Sequence, residues 1–132
     1  MKNRISATLS IWSKQLDPEK ISKSLDFEPD RAVARGADRI PPRPRPTAFG
    51  WHVTCVENDK EMAGDVLKLL CERIESIREK LPKLRLQDPE ISVNLALHIA
   101  PKSADVSLFI DRYTIELISA LTGDLDIEFF DI

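Results

Sequence analysis

From Ile5 to Trp12 the chain alternates, with Ile5, Ala7, Leu9 and Ile11 on one side and Ser6, Thr8, Ser10 and Trp12 on the other. That two-residue period predicts a strand with one buried face. It recurs in Gly50–Val56, where Trp51, Val53 and Cys55 stand opposite His52 and Thr54. It recurs again in Glu90–Ala100, where Ile91, Val93, Leu95, Leu97 and Ile99 oppose Ser92, Asn94, Ala96 and His98. Ala104–Ile110 and Leu125–Ile132 read as two further strands.

Helical spacing fills the gaps. Asp17 is placed as an N-cap, Pro18 as the first helical residue, and Leu16 and Ile21 as a hydrophobic staple for a short helix that ends before Pro29. Asn58 and Glu61 are spaced as a capping box, followed by Met62, Val66, Leu69, Leu70, Ile74, Ile77 and Leu81 at helical intervals, with Pro82 expected to stop them. Tyr113–Leu121 predicts a last helix closed by Gly123.

The expected order is β-α-β-α-β-β-α-β, an α+β fold with one mostly antiparallel sheet. Alternating strands need a solvated side, so the helices are expected on one face with the other left open. Residues 9–30 and 106–127 share a strand, a turn, a helix containing Ile-Ser and an acidic exit, a pattern of two ferredoxin-like half-repeats. A single domain is expected over residues 1–132, because 132 residues with 42% hydrophobic and 31% charged positions suit one core.

No apolar run approaches a membrane span, and Met1–Arg4 leads into alternation instead of a signal-peptide segment, so a cytoplasmic protein with no membrane role is expected. Cys55 and Cys71 are too few for a disulfide framework and read as small hydrophobes.

Net charge is −3, unevenly spread. Residues 30–45 hold five arginines (Arg31, Arg35, Arg39, Arg43, Arg45) against Asp30 and Asp38, whereas residues 111–132 hold six acids against Arg112. Four of the nine prolines fall in Arg39–Val53, within a Pro/Arg-rich loop at about residues 36–48. What precedes it is too small for its own core, which makes it an intradomain loop, and residues before proline are extended, so Ile40–Pro46 is expected to be stiff and polyproline-like with Arg43 and Arg45 displayed. A solvated charge run is the plain alternative.

Catalytic motifs do not emerge. There is no Gly-x-Ser-x-Gly, no phosphate-cradling glycine loop and no Cys-x-x-Cys, and four glycines are few for tight phosphate turns. His52 and Cys55 are separated by an odd number of positions and point to opposite faces of a strand, which removes them as a metal pair. No metal or organic cofactor is expected. The open face should carry Ser6, Thr8, Ser10, Trp12, His52, Thr54, Ser92, Asn94, His98, Ser107, Phe109, Glu128 and Phe130. His52 and His98 could meet a carboxylate such as Glu128 there, and Trp12, Phe109 and Phe130 could form an aromatic patch for a partner, against the simpler reading of a solvated sheet surface.

Leu25-Asp26-Phe27-Glu28-Pro29, then Arg35-Gly36, then Gly50-Trp51 after a variable loop, and the closing pattern Ile118–Phe130, resemble the bacterial family known as domain of unknown function 4279. The sequence departs from that pattern in having His52 where a second aromatic often follows the Gly-Trp. The resemblance implies no catalytic residues, and it implies an immunity-like or toxin-neighbourhood role for some relatives.

The readings that follow are a non-enzymatic protein-binding module with an acidic protein partner, and a nucleic-acid-binding module using the same residues; an enzyme ranks third. The candidate contact residues are Arg31, Arg35, Arg39, Arg43, Arg45, Trp12, His52, His98, Phe109 and Phe130, in a monomer or a homodimer. One structural outcome is already expected: cutting the chain near Asn58 leaves neither fragment folded, because both halves supply strands to one sheet. A dispersed NMR spectrum from either half alone would contradict this.

Overall fold

The computed structural model describes residues 3–37, 44–103 and 105–131. Along the chain these form β1 (Arg4–Ser13), α1 (Pro18–Leu25), β2 (Arg31–Val33), β3 (Phe49–Asn58), α2 (Ala63–Ile74), α3 (Ile77–Gln87), β4 (Ser92–Ala100), α4 (Arg112–Leu121) and β5 (Asp126–Phe129). The fold is α+β, with a five-stranded sheet in the order β2-β3-β1-β4-β5. β1 runs antiparallel to both β3 and β4, β2 is antiparallel to β3, and only β5 is parallel to its neighbour β4.

The alternation in β1 sets the layers. Ile5, Ala7, Leu9 and Ile11 are fully buried, packed in one core with Trp51 and Val53 of β3, Leu95, Leu97 and Ile99 of β4, and the apolar stripes of α1 to α4. The intervening residues of β1 are half-exposed. Trp51 is the largest buried side chain, and its indole N–H donates to the Ser22 hydroxyl at 3.0 Å, which seats α1 on β3.

Local signals decide where α1 begins and where α4 ends. The Asp17 carboxylate accepts the Lys20 amide at 2.9 Å with Pro18 opening α1, as expected. Gly123, at φ 79°, closes α4 by donating its amide to the Ile118 carbonyl at 2.9 Å.

Three segments differ from the sequence expectation. The expected strand at 104–110 is absent over its described residues, and the Asn58–Glu61 capping box does not form; the two differences have one cause. Met62 occupies the N-cap of α2 without a side-chain bond, and the Ala63 amide is satisfied instead by the Ser107 carbonyl at 2.8 Å, with the Ser107 amide returning to Glu61 O at 2.7 Å. Residues around Ser107 therefore cap a helix rather than join the sheet. Gly64 makes this possible, since any Cβ there would strike the carbonyl of Phe109.

The second difference is that the long apolar stripe is broken at Glu75–Ser76, and α3 then runs through Pro82 to Gln87. Leu84 continues the stripe beyond the expected stop, and it is essentially fully buried together with Ile77 and Leu81 before it. Their burial outweighs the one backbone bond that a proline removes. The third difference is β2, a strand of three residues not expected from any periodicity. It is held at its start by the Asp30 carboxylate, which accepts the Thr54 amide at 2.8 Å and both guanidinium nitrogens of Arg73 at 2.7 and 2.9 Å. The half-repeat pattern does not extend to geometry, because residues 9–13 lie in β1 whereas the matching residues 106–110 form no strand of the sheet.

Cys55 is half-buried and Cys71 buried, both as free thiols. Burial pushes the Cys71 thiol up to about 11, and burial likewise raises Cys55, so neither is a ready thiolate.

The two halves of the chain are also stitched by a buried polar link. Ser13 and Asp88, 2% and 1% exposed, share a 2.6 Å hydrogen bond donated by the Ser13 hydroxyl. The same hydroxyl accepts the Leu16 amide at 2.8 Å, and the other Asp88 oxygen accepts the Glu90 amide at 3.1 Å. Replacing Asp88 with Ala leaves the buried Ser13 hydroxyl donor and the Glu90 amide without their acceptor, so Asp88→Ala should cost about 2 kcal/mol in urea unfolding with an unchanged slope. Ser13→Ala/Asp88→Ala together should cost clearly less than the sum of the single changes; additive losses would show that the two groups act independently.

Candidate functional site

The sheet face away from the helices is the most structured surface of the molecule. Its middle is lined with small polar groups: Thr8 and Thr54 hydroxyls lie 3.1 Å apart across β1 and β3, and the Asn94 amide donates to Asp126 at 2.6 Å across β4 and β5. Two ring pairs stand at opposite ends. The Trp12 and His52 rings meet edge to face at 5.0 Å, and those of His98 and Phe130 stack at 5.2 Å, nearly parallel at 7°.

Gly50 is the reason the first pair can form. A Cβ at that position would lie 2.7 Å from the Trp12 ring and 2.9 Å from the His52 imidazole. Trp12, opposite Gly50 in the β1–β3 register, lays its ring across the bare strand. The His52 Nδ1 sits 2.9 Å from the Ser10 hydroxyl, and its cross-strand neighbour on β2 is Arg31. Burial first, and the Arg31 charge second, lower the His52 pKa below 6.5, which keeps the imidazole neutral near pH 7.

Between the ring pairs lie two adjoining depressions. One, of about 350 Å³, is lined by Thr8, Ser10, Arg31, His52, Thr54, Asn94, Ala96, His98 and Glu128. The next, of about 430 Å³, is lined by Arg4, Ser6, Thr8, His98, Ala100, Phe130 and Asp131. Larger hollows of about 580 and 670 Å³ lie elsewhere, beside Asp59, Glu61 and Asp105 and along α1. Neither contains a ring pair of the kind found on the sheet.

The sequence candidates separate on this surface. Arg31, His52 and His98 are brought into one depression together with Glu128, whose carboxylate is 3.9 Å from the His98 Nδ1. Trp12 and Phe130 share the face but not a patch, since Trp12 is at the Ser92 end of the β1–β4 register and Phe130 lies by Ala100 at the Arg4 end, roughly 25 Å away at strand rise. Phe109, 68% exposed, is not on this face; it lies beside α2, because its segment caps that helix. Ser107 goes with it.

Arg35 is spent on the fold, donating to the Lys14 carbonyl at 2.9 Å. Arg45 is exposed next to a buried Pro46, whose carbonyl accepts the Gly36 amide at 2.8 Å and so closes the base of the Pro/Arg loop. Arg39, Arg43 and residues 40–43 of the stiff segment expected at 40–46 lie outside the described residues. Arg4 and Asp126 are contributors that the sequence reading missed. Arg4 stands at a strand end, where alternation carries no information, and Asp126 became legible only once β5 was placed beside Asn94.

Ser10 and His52 form a nucleophile–base contact, but the acid that would orient such an imidazole is replaced by Arg31, which weakens it as a base. Backbone amides in the interior of the sheet are committed to strand pairing, so they are not aimed at a developing oxyanion. Among the described residues no three His, Cys, Asp or Glu side chains converge as a metal cage.

A family model described as Domain of unknown function (DUF4279) matches residues 3–130. No curated protein and no solved structure matches the chain.

The lowered His52 pKa has a thermodynamic consequence. The unfolded chain binds a proton at His52 more readily than the folded one does, so stability falls as pH drops below about 6.5 and levels off below the depressed folded value. Urea midpoints measured from pH 7.5 to 5 should show this decline in the wild type and a shallower one in His52→Gln. Equal slopes in the two proteins would place the titration elsewhere.

Proposed function

The chain belongs to the family described as Domain of unknown function (DUF4279), and from that premise we propose that it is a non-enzymatic protein-binding module whose open sheet face docks a partner protein. The observation that carries the reading is the pair of ring contacts, Trp12–His52 and His98–Phe130, bracketing a floor of hydroxyls and amides on a surface that the helices leave uncovered.

Rings fixed by their neighbours lose little entropy when a partner covers them, and aromatic anchors at the ends of a polar strip are what protein interfaces select. Trp12 is held by Gly50 and His52, and Phe130 by His98, so both are ordered in advance. The floor is shallow and polar, which suits the side chains of a folded partner better than an enclosed small molecule. Its charges are split, with Arg31 towards β2, Asp126, Glu128 and Asp131 towards β5, and Arg4 at the end of the central strand. That arrangement favours a partner with an opposed dipole and disfavours a nucleic-acid backbone, which the acidic side repels.

An affinity capture with the wild type, followed by reconstitution with the purified partner, tests this reading. Trp12→Ala with Phe130→Ala should weaken the reconstituted complex at least about a hundredfold, as loss of two interface anchors does, while Leu86→Ser on the far side should leave it unchanged. Equal affinity for all three proteins, or recovery of nucleic acid alone with a steep dependence on salt, would remove the open face as a protein-docking surface.

A further inference from the structure

β5 is an edge strand whose residues are all exposed, and its outer side is paired with no other described strand. The Phe130 amide donates to the Ile99 carbonyl at 2.9 Å, which fixes the phase of the edge. Residues alternate in the direction of their backbone groups, so Asp126, Glu128 and Phe130 face β4, while Ile127 and Phe129 turn their N–H and C=O outward.

Side chains at this edge alternate in chemistry as well. Asp126 and Glu128 stand level with Ala96 and His98 on the open face, whereas Ile127 and Phe129, level with the buried Leu97 and Ile99, are left 37% and 50% exposed because the helices stop short of β5.

We propose that β5 receives an added strand: an extended segment of a partner protein that alternates basic and apolar residues, its basic side chains against Asp126 and Glu128 and its apolar ones against Ile127 and Phe129. Backbone pairing with an exposed sheet edge supplies the affinity, and the alternating pockets supply the selection. A second copy of this chain is disfavoured as the occupant, since pairing β5 with itself sets acids opposite acids on one face. Edges guarded by charge in this way resist self-association and still accept a strand of opposite charge. The proposal shares Asp126 and Glu128 with the open-face reading but is separable from it, because its affinity comes from backbone groups at the rim and it uses neither Trp12 nor Phe130.

The test uses a labelled nine-residue peptide of alternating Arg and Val, capped at both ends, against the full chain in fluorescence anisotropy. A Glu–Val peptide of the same length should bind about tenfold more weakly or worse, and Trp12→Ala should leave Arg–Val binding unchanged. N-methylating either the arginines or the valines blocks one edge of the peptide, so one of the two series should lose about tenfold and the other should not. Loss in the methylated arginine series corresponds to a parallel addition and loss in the valine series to an antiparallel one. Ile127→Pro removes an outward N–H that β4 does not use and should abolish binding; the N-methyl series carries the test if that variant does not fold. Equal binding of the acidic peptide overturns the proposal. So does an equal effect in both N-methyl series, or a dimer in sedimentation equilibrium that the Arg–Val peptide dissociates.

Discussion

β1 is hydrogen-bonded along nearly its full length on both sides, to β3 and to β4, and every other element takes its place from that double pairing. Because alternation sends Ile5, Ala7, Leu9 and Ile11 to one side, the same strand that nucleates the core also supplies Ser6, Thr8, Ser10 and Trp12 as the spine of the open face. A slip of one residue would exchange the two sets and bury four polar or indole groups, so the register is fixed by the cost of burying them. Core and candidate interface are in this sense one structural decision, made within ten residues.

How much could be read from the chain follows from where a side chain's fate is decided by its neighbours in sequence. β1, β3 and β4 carry clean alternation, and α1 and α4 carry caps acting within three or five residues, so their existence and buried faces were legible. The fate of residues 105–110 was not. Their alternation is real, but it is overridden by a contact some 44 positions away, in which Ser107 caps α2 above a glycine that lets the backbone approach. β2 was invisible for a related reason: Arg31–Val33 pairs because Asp30 is clamped by Arg73 and Thr54, both remote in sequence. Pro82 shows the opposite error, a strong local signal outvoted by buried Leu81 and Leu84 on either side of it.

The same distinction explains what the family pattern records. Leu25 is in the core, Gly36 bonds to Pro46 at the base of the loop at φ 75°, Arg35 ties to Lys14, and Trp51 seats α1. These residues of the pattern have architectural contacts in the structure. The face residues lie between them: His52 follows the Gly-Trp directly, and Arg31 sits within the stretch before the Arg-Gly.

The missing side chain of Gly50 is the space in which the Trp12 ring rests, so neither position can drift alone: a larger residue at 50 has no room until the indole has been replaced by something smaller, and a smaller residue at 12 leaves a bare strand beside His52. Positions 12 and 50 therefore hold each other in place: in this chain a side chain at 50 requires a compensating change at 12.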